Sequence, residues 1–520
     1  MTRTVIILLS LLCLGISSDI GVTKIFVPSG IIPPDDYTPR AQIKNYEGNP
    51  ENLWVYFKIL TLEGGQVYFD SCYESMSGSE TKNIYFNPWT ATLGLYVSRC
   101  SLYLPSDINP DNDTISSKFK VENLVQGEWV LIDSVPLGLS GKKVKAGGGL
   151  ADGSSRGEKL IYVLKGNKTN EFYLYDVLLK TWLTKQPVPT SPEGPKKHPK
   201  KGARILRAGD YVYLARGNNT LEFWAYYIPD DSWTRLKDIP AGLSGKRLKG
   251  GSSMAEGKIN NKKYLFLTKG SGTREFYAYD TDLDTWIERA STPYRMSESK
   301  ARIKKGSCLA DDGEDIYLLK DKTNWLFFYD CDLDSWCQRE SLPHYGIAQK
   351  KKKVKKGGAM VYQKGNPDLI YTLKGGCHEF WCYCVDGDSW VELASLPVEV
   401  SKKKVKSGGS LLITAGCVFA LKGGNTRELW RYVPLDTLFK NKMSTKPVAN
   451  NNQQGNLTTV RFNRLPDLSN SNYIIYDAVG RKVRIAQSKE GRVQGLKPGI
   501  YFIASFNDKG YNFKKIVIIR

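Results

Sequence analysis

Short apolar runs with alternating polar positions recur through the middle of the chain at a fixed interval. Trp129, Trp182, Trp233, Trp286, Trp336 and Trp390 follow one another every 50 to 54 residues, and Leu438 stands 48 beyond the last. Each interval holds four strand candidates. The first opens on lysines and passes into small residues, as in Lys142-Lys-Val-Lys-Ala-Gly-Gly-Gly-Leu150, and the second is an apolar run ending at a glycine turn, Leu160-Ile-Tyr-Val-Leu-Lys-Gly166. The third alternates aromatics, Glu171-Phe-Tyr-Leu-Tyr-Asp176, and the fourth begins with the tryptophan, Thr181-Trp-Leu-Thr, and ends before a proline. Period-two patterning between turn residues predicts a four-stranded antiparallel sheet for each repeat. One such sheet cannot bury both faces, so six copies are expected to stack radially into a closed ring. The last repeat has a degenerate fourth strand near Leu438, whereas a surplus one, Glu128-Trp-Val-Leu-Ile-Asp133, precedes the first. The surplus strand is therefore expected to complete the final blade.

Strand-like alternation continues on both sides of the repeats. The expected class is all-β: an N-terminal β-sandwich over 19–121, a six-bladed propeller over 124–440, a polar linker over 441–455 and a small β-sandwich over 456–520. A composition with 48 Gly, 30 Tyr and 12 Trp agrees with many short strands and tight turns. Residues 1–18 have a basic start, an apolar run from Val5 to Ile16 and a small-residue end, the pattern of a cleaved secretory leader. That run is shorter than the roughly 20 residues a membrane span needs. No later segment is apolar enough to cross, so the mature chain is expected to lack a transmembrane anchor.

Three resemblances sharpen this picture. A tyrosine separated by six residues from a tryptophan, at Tyr175/Trp182, Tyr226/Trp233, Tyr279/Trp286, Tyr329/Trp336 and Tyr383/Trp390, resembles the kelch repeat. The kelch diglycine stands in full only at Gly375-Gly376 and Gly423-Gly424; Gly166-Asn, Gly217-Asn, Gly270-Ser and Asp321-Lys replace it elsewhere. The N-terminal region, with Pro39-Arg-Ala-Gln-Ile-Lys-Asn45 and Asp107-Ile-Asn-Pro-Asp-Asn-Asp113, resembles the immunoglobulin-like CARDB domain of bacterial surface proteins. The succession Ile475-Tyr-Asp-Ala-Val-Gly-Arg-Lys-Val483, Gly495-Leu-Lys-Pro-Gly-Ile-Tyr-Phe-Ile503 and Lys514-Lys-Ile-Val-Ile-Ile-Arg520 resembles the C-terminal sorting domain of the type IX secretion system. That resemblance implies the secretion machinery as a partner and an extracellular or cell-surface location.

Charge gives the ring a polarity. The net charge is +21, and its cations repeat with the blades. Ahead of the first strands stand Lys142, Lys143 and Lys145; Lys200, Lys201 and Arg204; Lys246, Arg247 and Lys249; Arg302, Lys304 and Lys305; Lys353, Lys355 and Lys356; and Lys403, Lys404 and Lys406. A second cation precedes each glycine turn: Lys165, Arg216, Lys269, Lys320, Lys374 and Lys422. In a propeller both positions emerge on one face near the channel, so the first set is expected to form a basic ring for a polyanion. An acidic polysaccharide, a lipopolysaccharide headgroup or extracellular DNA would each fit, with nucleic acid disfavoured by export. Five of the second set have a glutamate beyond the turn (Glu171, Glu222, Glu275, Glu379, Glu428), the pattern of a cross-turn ion pair.

Catalytic and metal chemistry find little footing. The histidines His198, His344 and His378 share no repeat position, and Cys377-His378 with Cys382 and Cys384 fits none of the usual zinc spacings. No cofactor is expected. Asp280-Thr-Asp-Leu-Asp284, Asp330-Cys-Asp-Leu-Asp334 and Asp386-Gly-Asp388 precede the tryptophans regularly and read as hairpin turns rather than paired catalytic carboxylates. The cluster Asp107–Asp113 likewise reads as a turn before a calcium site. Cys72 with Cys100, and Cys331 with Cys337, are disulfide candidates in an oxidising compartment. The expected function is noncatalytic binding or adhesion at the cell surface. A carbohydrate-active enzyme and a purely structural envelope protein are the alternatives.

Overall fold

The computed structural model describes residues 18–155, 157–190, 196–293 and 303–435, together with the backbone strands Asn472–Asp477, Ala486–Gln487, Val493–Gln494, Gly499–Asn507 and Gly510–Ile518. The leader up to residue 17, Arg302, Leu438 and the linker 441–455 lie outside the described residues. The chain divides into two compact units, one up to Lys446 and one from Pro447.

The fold is all-β. In the first unit six four-stranded antiparallel sheets follow one another, and the innermost strands Gly149–Asp152, Arg204–Ala208, Ser253–Ile259, Cys308–Asp311, Ala359–Gln363 and Ser410–Thr414 pack side by side in a closed cycle. This is a six-bladed β-propeller. Small residues at the start of most inner strands let six backbones converge on one axis. The lysines differ from expectation in one respect: the strands begin only after them, so they lie on the links rather than within the pleat.

Closure follows the predicted strand exchange. Trp129–Ser134 pairs antiparallel with Glu428–Tyr432, so a strand from before the first blade completes the sixth. Trp129 faces Tyr432 just as Trp182 faces Tyr175 and Trp233 faces Tyr226. The chain thereby joins its first and last blades through backbone hydrogen bonds.

The tyrosine–tryptophan spacing has a physical origin. In the third blade the Asp284 carboxylate accepts hydrogen bonds from the Tyr279 hydroxyl (2.7 Å) and from the backbone N–H of Lys237 at the end of the second blade (2.9 Å). The Trp286 indole donates to the carbonyl of the same Lys237 at 3.1 Å. Asp231 with Trp233, Asp334 with Trp336, and Asp388 with Trp390 grip Gln186, Ala290 and Glu340 in the same way. These aspartates hold turns and join blades. Asp284, Asp334 and Asp388 occupy the left-handed turn position that Asp tolerates.

Ahead of the propeller, a three-stranded sheet (Ile20–Val27, Arg40–Asn45, Thr81–Tyr85) faces a five-stranded one ordered Gly30–Ile32, Thr114–Val121, Gly94–Tyr103, Glu51–Thr61, Gln66–Met76. Val55, Phe57, Ile59, Phe86 and Phe119 fill the core between them. Ser18, assigned by its sequence to the leader, is buried in this fold, and its carbonyl accepts from the Ile108 N–H at 2.9 Å. The sandwich meets the propeller at inner hairpins of the first and sixth blades. Ile31 N–H donates to Ala415 O at 3.1 Å, Lys118 N–H donates to Gly157 O at 3.1 Å, and Lys118 pairs with Glu158 at 2.5 Å. Gly30 is required at this junction because a Cβ there would stand 2.8 Å from the Ala415 backbone.

Neither proposed disulfide forms; all nine described cysteines are free. Cys72 and Cys100 both lie against the sandwich core, but the strand Glu51–Thr61 runs between theirs. Two strand spacings, roughly 9–10 Å, exceed the ~7 Å that a disulfide spans between Cα atoms. Cys331 is buried in the core shared by the third and fourth blades whereas Cys337 is exposed on the outer strand. In the Asp107 cluster the carboxylate accepts from the N–H groups of Asn109 (2.7 Å) and Ile20 (2.9 Å), fastening a turn to the first strand.

In the second unit, Asn472–Asp477, Gly499–Asn507 and Gly510–Ile518 form a three-stranded antiparallel sheet, and Ala486–Gln487 pairs with Val493–Gln494. Among the described residues no helix is long and apolar enough to cross a membrane.

Candidate functional site: a lysine-lined propeller mouth

Five of the links bury an aliphatic residue, Val144, Leu248, Ile303, Val354 or Val405, immediately before a lysine. Burying one side chain turns the next outward, which places Lys145, Lys249, Lys304, Lys355 and Lys406; Lys200 follows Pro199 in the second blade. Two residues later each link has a glycine. A Cβ on Gly147, Gly202, Gly251, Gly306, Gly357 or Gly408 would stand 2.1 to 2.4 Å from the carbonyl oxygen of Lys200, Lys249, Lys304, Lys355, Lys406 or Lys145 respectively. Only glycine admits so close an approach of two backbones. The contacts run once around the ring and return to the first blade, so the six lysines occupy equivalent positions about the axis.

A cavity of about 1090 Å³ opens over the third to sixth blades. It is lined by Lys249, Lys304, Lys305, Lys322, Lys353, Lys355, Lys356, Lys404 and Lys406, with Asp321 as its single carboxylate. Asp321 is buried, accepts from Lys304 N–H at 3.1 Å and Ser307 Oγ at 3.2 Å, and so is spent on holding the link. Among the described residues none of the nine lysines has an ion-pair partner. Burial, then Lys356 and Lys201, hold the Lys305 ammonium below the usual lysine range. Burial, then Lys168, Lys201 and Lys145, do the same to Lys200. Cations from several blades thus feel one another across the mouth.

Eight of the predicted ring residues line this cavity, and Lys145, Lys200 and Lys201 belong to the same rim. Lys142, Lys143, Lys246, Arg247 and Lys403 are exposed on the outer parts of the links, where Lys142 and Lys403 donate to the carbonyls of Lys168 (3.4 Å) and Asn425 (3.1 Å). Arg204 departs from expectation. It lies in an inner strand and lines a separate channel of about 250 Å³ between the six inner strands, where burial lowers its pKa. Lys322 was missed because Asp321-Lys322 read as a worn glycine turn; the signal for it is a lysine at a turn already known to face the mouth. The sixfold Lys-x-Gly was equally legible.

The second set of cations is structural. Lys165, Arg216, Lys269, Lys374 and Lys422 have buried side chains and pair with Glu171, Glu222, Glu275, Glu379 and Glu428 at 2.6, 2.7, 3.1, 2.6 and 2.8 Å. Each also donates to a carbonyl of its blade's incoming link, such as Lys374 to Pro343 O and Lys422 to Pro397 O, both at 2.7 Å. The buried pairs therefore anchor the links that present the exposed lysines.

In the channel below, Asp311 is hemmed in by the inner strands and its carboxyl is pushed up to about 7 by burial. His198 Nδ1 meets Asn170 Oδ1 at 2.9 Å and His344 Nδ1 meets Lys352 O at 3.3 Å, so both rings brace links. Among the described residues no group of three His, Cys, Asp or Glu side chains is placed to hold a metal.

No family pattern and no curated protein matches this chain. Among solved structures, it is similar to YjhT at 11% identity with a TM-score of 0.39, covering 59% of this chain and 97% of YjhT. It is similar also to an auxiliary nutrient binding protein from Bacteroides thetaiotaomicron at 10% identity with a TM-score of 0.39, covering 79% of this chain and 97% of that one.

Proposed function

We propose that this protein is a noncatalytic binder whose basic mouth takes an anionic polymer, with an acidic polysaccharide as the ligand class. The observation that carries this reading is the cavity itself: nine lysines face about 1090 Å³ with one carboxylate that is already hydrogen-bonded. Gathering like charges raises the free energy of the empty mouth, and a polyanion relieves it. Support for a noncatalytic role comes from the acidic turns, whose carboxylates are committed to joining blades. We read the blades as kelch-like, the sandwich as CARDB-like and the tail as a type IX export address on the motifs quoted above. Export is tested by fusing residues 441–520 to a periplasmic reporter, which should leave a cell with a working secretion system; retention contradicts it.

The binding reading is tested on a heparin column. Replacing Lys304, Lys355 and Lys406 by serine should lower the eluting salt well beyond the effect of the same change at Lys142, Lys246 and Lys403. Both triples remove three charges, so equal shifts, or no retention of the unmodified protein, contradict a site at the mouth.

A further inference from the structure

We infer that the outer face of the five-stranded sheet is a second binding surface, shaped for a polysaccharide chain that carries acid groups. It is independent of the propeller mouth. In the strand Glu51–Thr61 the inward positions Leu53, Val55, Phe57 and Ile59 are core, so Trp54, Tyr56 and Lys58 point away from it. Register then builds a row: Trp54 lies directly between Tyr73 on one neighbouring strand and Tyr103 on the other. All three are open to solvent, at 42%, 60% and 60% exposure, and Phe69 beside them is at 48%.

The rings form a strip rather than a knot. Trp54 and Tyr56 are nearly parallel, 16° apart with centroids at 6.3 Å, and Tyr56 and Phe69 are 19° apart at 6.3 Å. A contiguous exposed aromatic patch of this kind marks an interaction site. Its surroundings choose the partner. The next row places Ser101 and Ser71 on either side of Tyr56, and the row after it places Arg99 and Phe69 on either side of Lys58. Lys58 Nζ lies 5.6 Å from the Phe69 ring centroid, so a positive charge stands at the edge of the strip. The outward positions of the four long strands include no carboxylate. A sugar ring has an apolar C–H face and a hydroxyl rim, which matches flat aromatics interleaved with serine hydroxyls. Acid substituents on the sugars match Lys58 and Arg99. An aliphatic protein surface would leave those hydroxyls and cations desolvated without partners.

The test uses the full chain with two probes, polygalacturonate and inorganic polyphosphate, which has charge but no sugar ring. The measurement is made in the Lys304/Lys355/Lys406 serine background, where the mouth is weakened and this surface is read separately. There, replacing Trp54, Tyr73 and Tyr103 by alanine should weaken polygalacturonate binding at least ~10-fold and leave polyphosphate binding unchanged, while Trp54→Phe keeps most of the affinity. Unchanged polygalacturonate affinity, absence of polygalacturonate binding by the unmodified protein, or equal loss for both probes would overturn the inference. So would a dimer of the unmodified chain that the alanine variant dissolves, since the face would then serve self-association. Thermal melting of each variant confirms that these exposed changes leave the fold intact.

Discussion

Lys374 and Glu379 show what a single pair does in this ring. Both are buried and 2.6 Å apart, and the ammonium also reaches the Pro343 carbonyl of the incoming link. Lys374→Met leaves a carboxylate buried without its cation, a loss of about 3–5 kcal/mol, so melting should fall by several degrees and be partly recovered in Lys374→Met with Glu379→Gln. No recovery would mean that the link contact, rather than the charge pair, holds the blade. Asp311 behaves differently. Its folded carboxyl titrates near 7 against an ordinary value of 3.8, so the folded chain holds this proton more tightly than the unfolded one. That stability is complete below about pH 4 and is lost as pH rises to 7. Asp311→Asn should therefore raise the melting temperature at pH 8 and change little at pH 4; equal shifts at both would contradict an ionising group in the channel. The Lys–Glu pairs were legible because their partners lie five or six residues apart across one turn. Asp311 was not, since six strands distant in sequence enclose it.

The strand Trp129–Ser134 carries the ring's closure. Its indole donates to Ala394 O at 2.9 Å, the same reach from blade to blade that Trp286 makes to Lys237. Deleting residues 124–136 removes an outer strand and its backbone ladder to Glu428–Tyr432, so the melting temperature should drop sharply. An unchanged transition would contradict the closure. This element was predictable from a counting argument, since the last repeat has only a degenerate fourth strand and one surplus fourth strand precedes the first repeat, so the surplus strand fills the place. The start of the inner strands was less legible. Lysine and valine alternate before Gly149 as they would in a strand, yet the Val144 backbone is taken up by the turn of the sixth blade, donating to Thr426 O and accepting from Asn425 N–H at 2.9 Å each, rather than by its own blade. The disulfide candidates failed for a related reason, because spacing along the chain does not reveal the strand lying between Cys72 and Cys100.

At the scale of the molecule, the chain separates its charges. The buried second set fixes the links, the links carry the exposed lysines, and the acidic hairpins turn away to the opposite face. The polarity of the ring was readable from the repeat. That the lysines surround a cavity over the third to sixth blades was not, because it depends on link shapes that differ between blades. Lys200 and Lys305 titrate below an ordinary lysine, and a bound polyanion favours their protonated forms. Affinity at constant ionic strength should then weaken as pH rises into the alkaline range, beginning below the ~10.4 of a free lysine. An onset only above that value would show that these two ammonium groups do not face the ligand.

The most direct measurement is the dependence of polyanion affinity on salt, compared between the unmodified protein and the Lys304/Lys355/Lys406 serine variant. Charges neutralised by a polyanion release its counterions, so log affinity should fall linearly with log salt. The account predicts a steep slope for the unmodified protein and a clearly shallower one for the variant. Equal slopes, or binding indifferent to salt, would contradict the lysine mouth as the binding site.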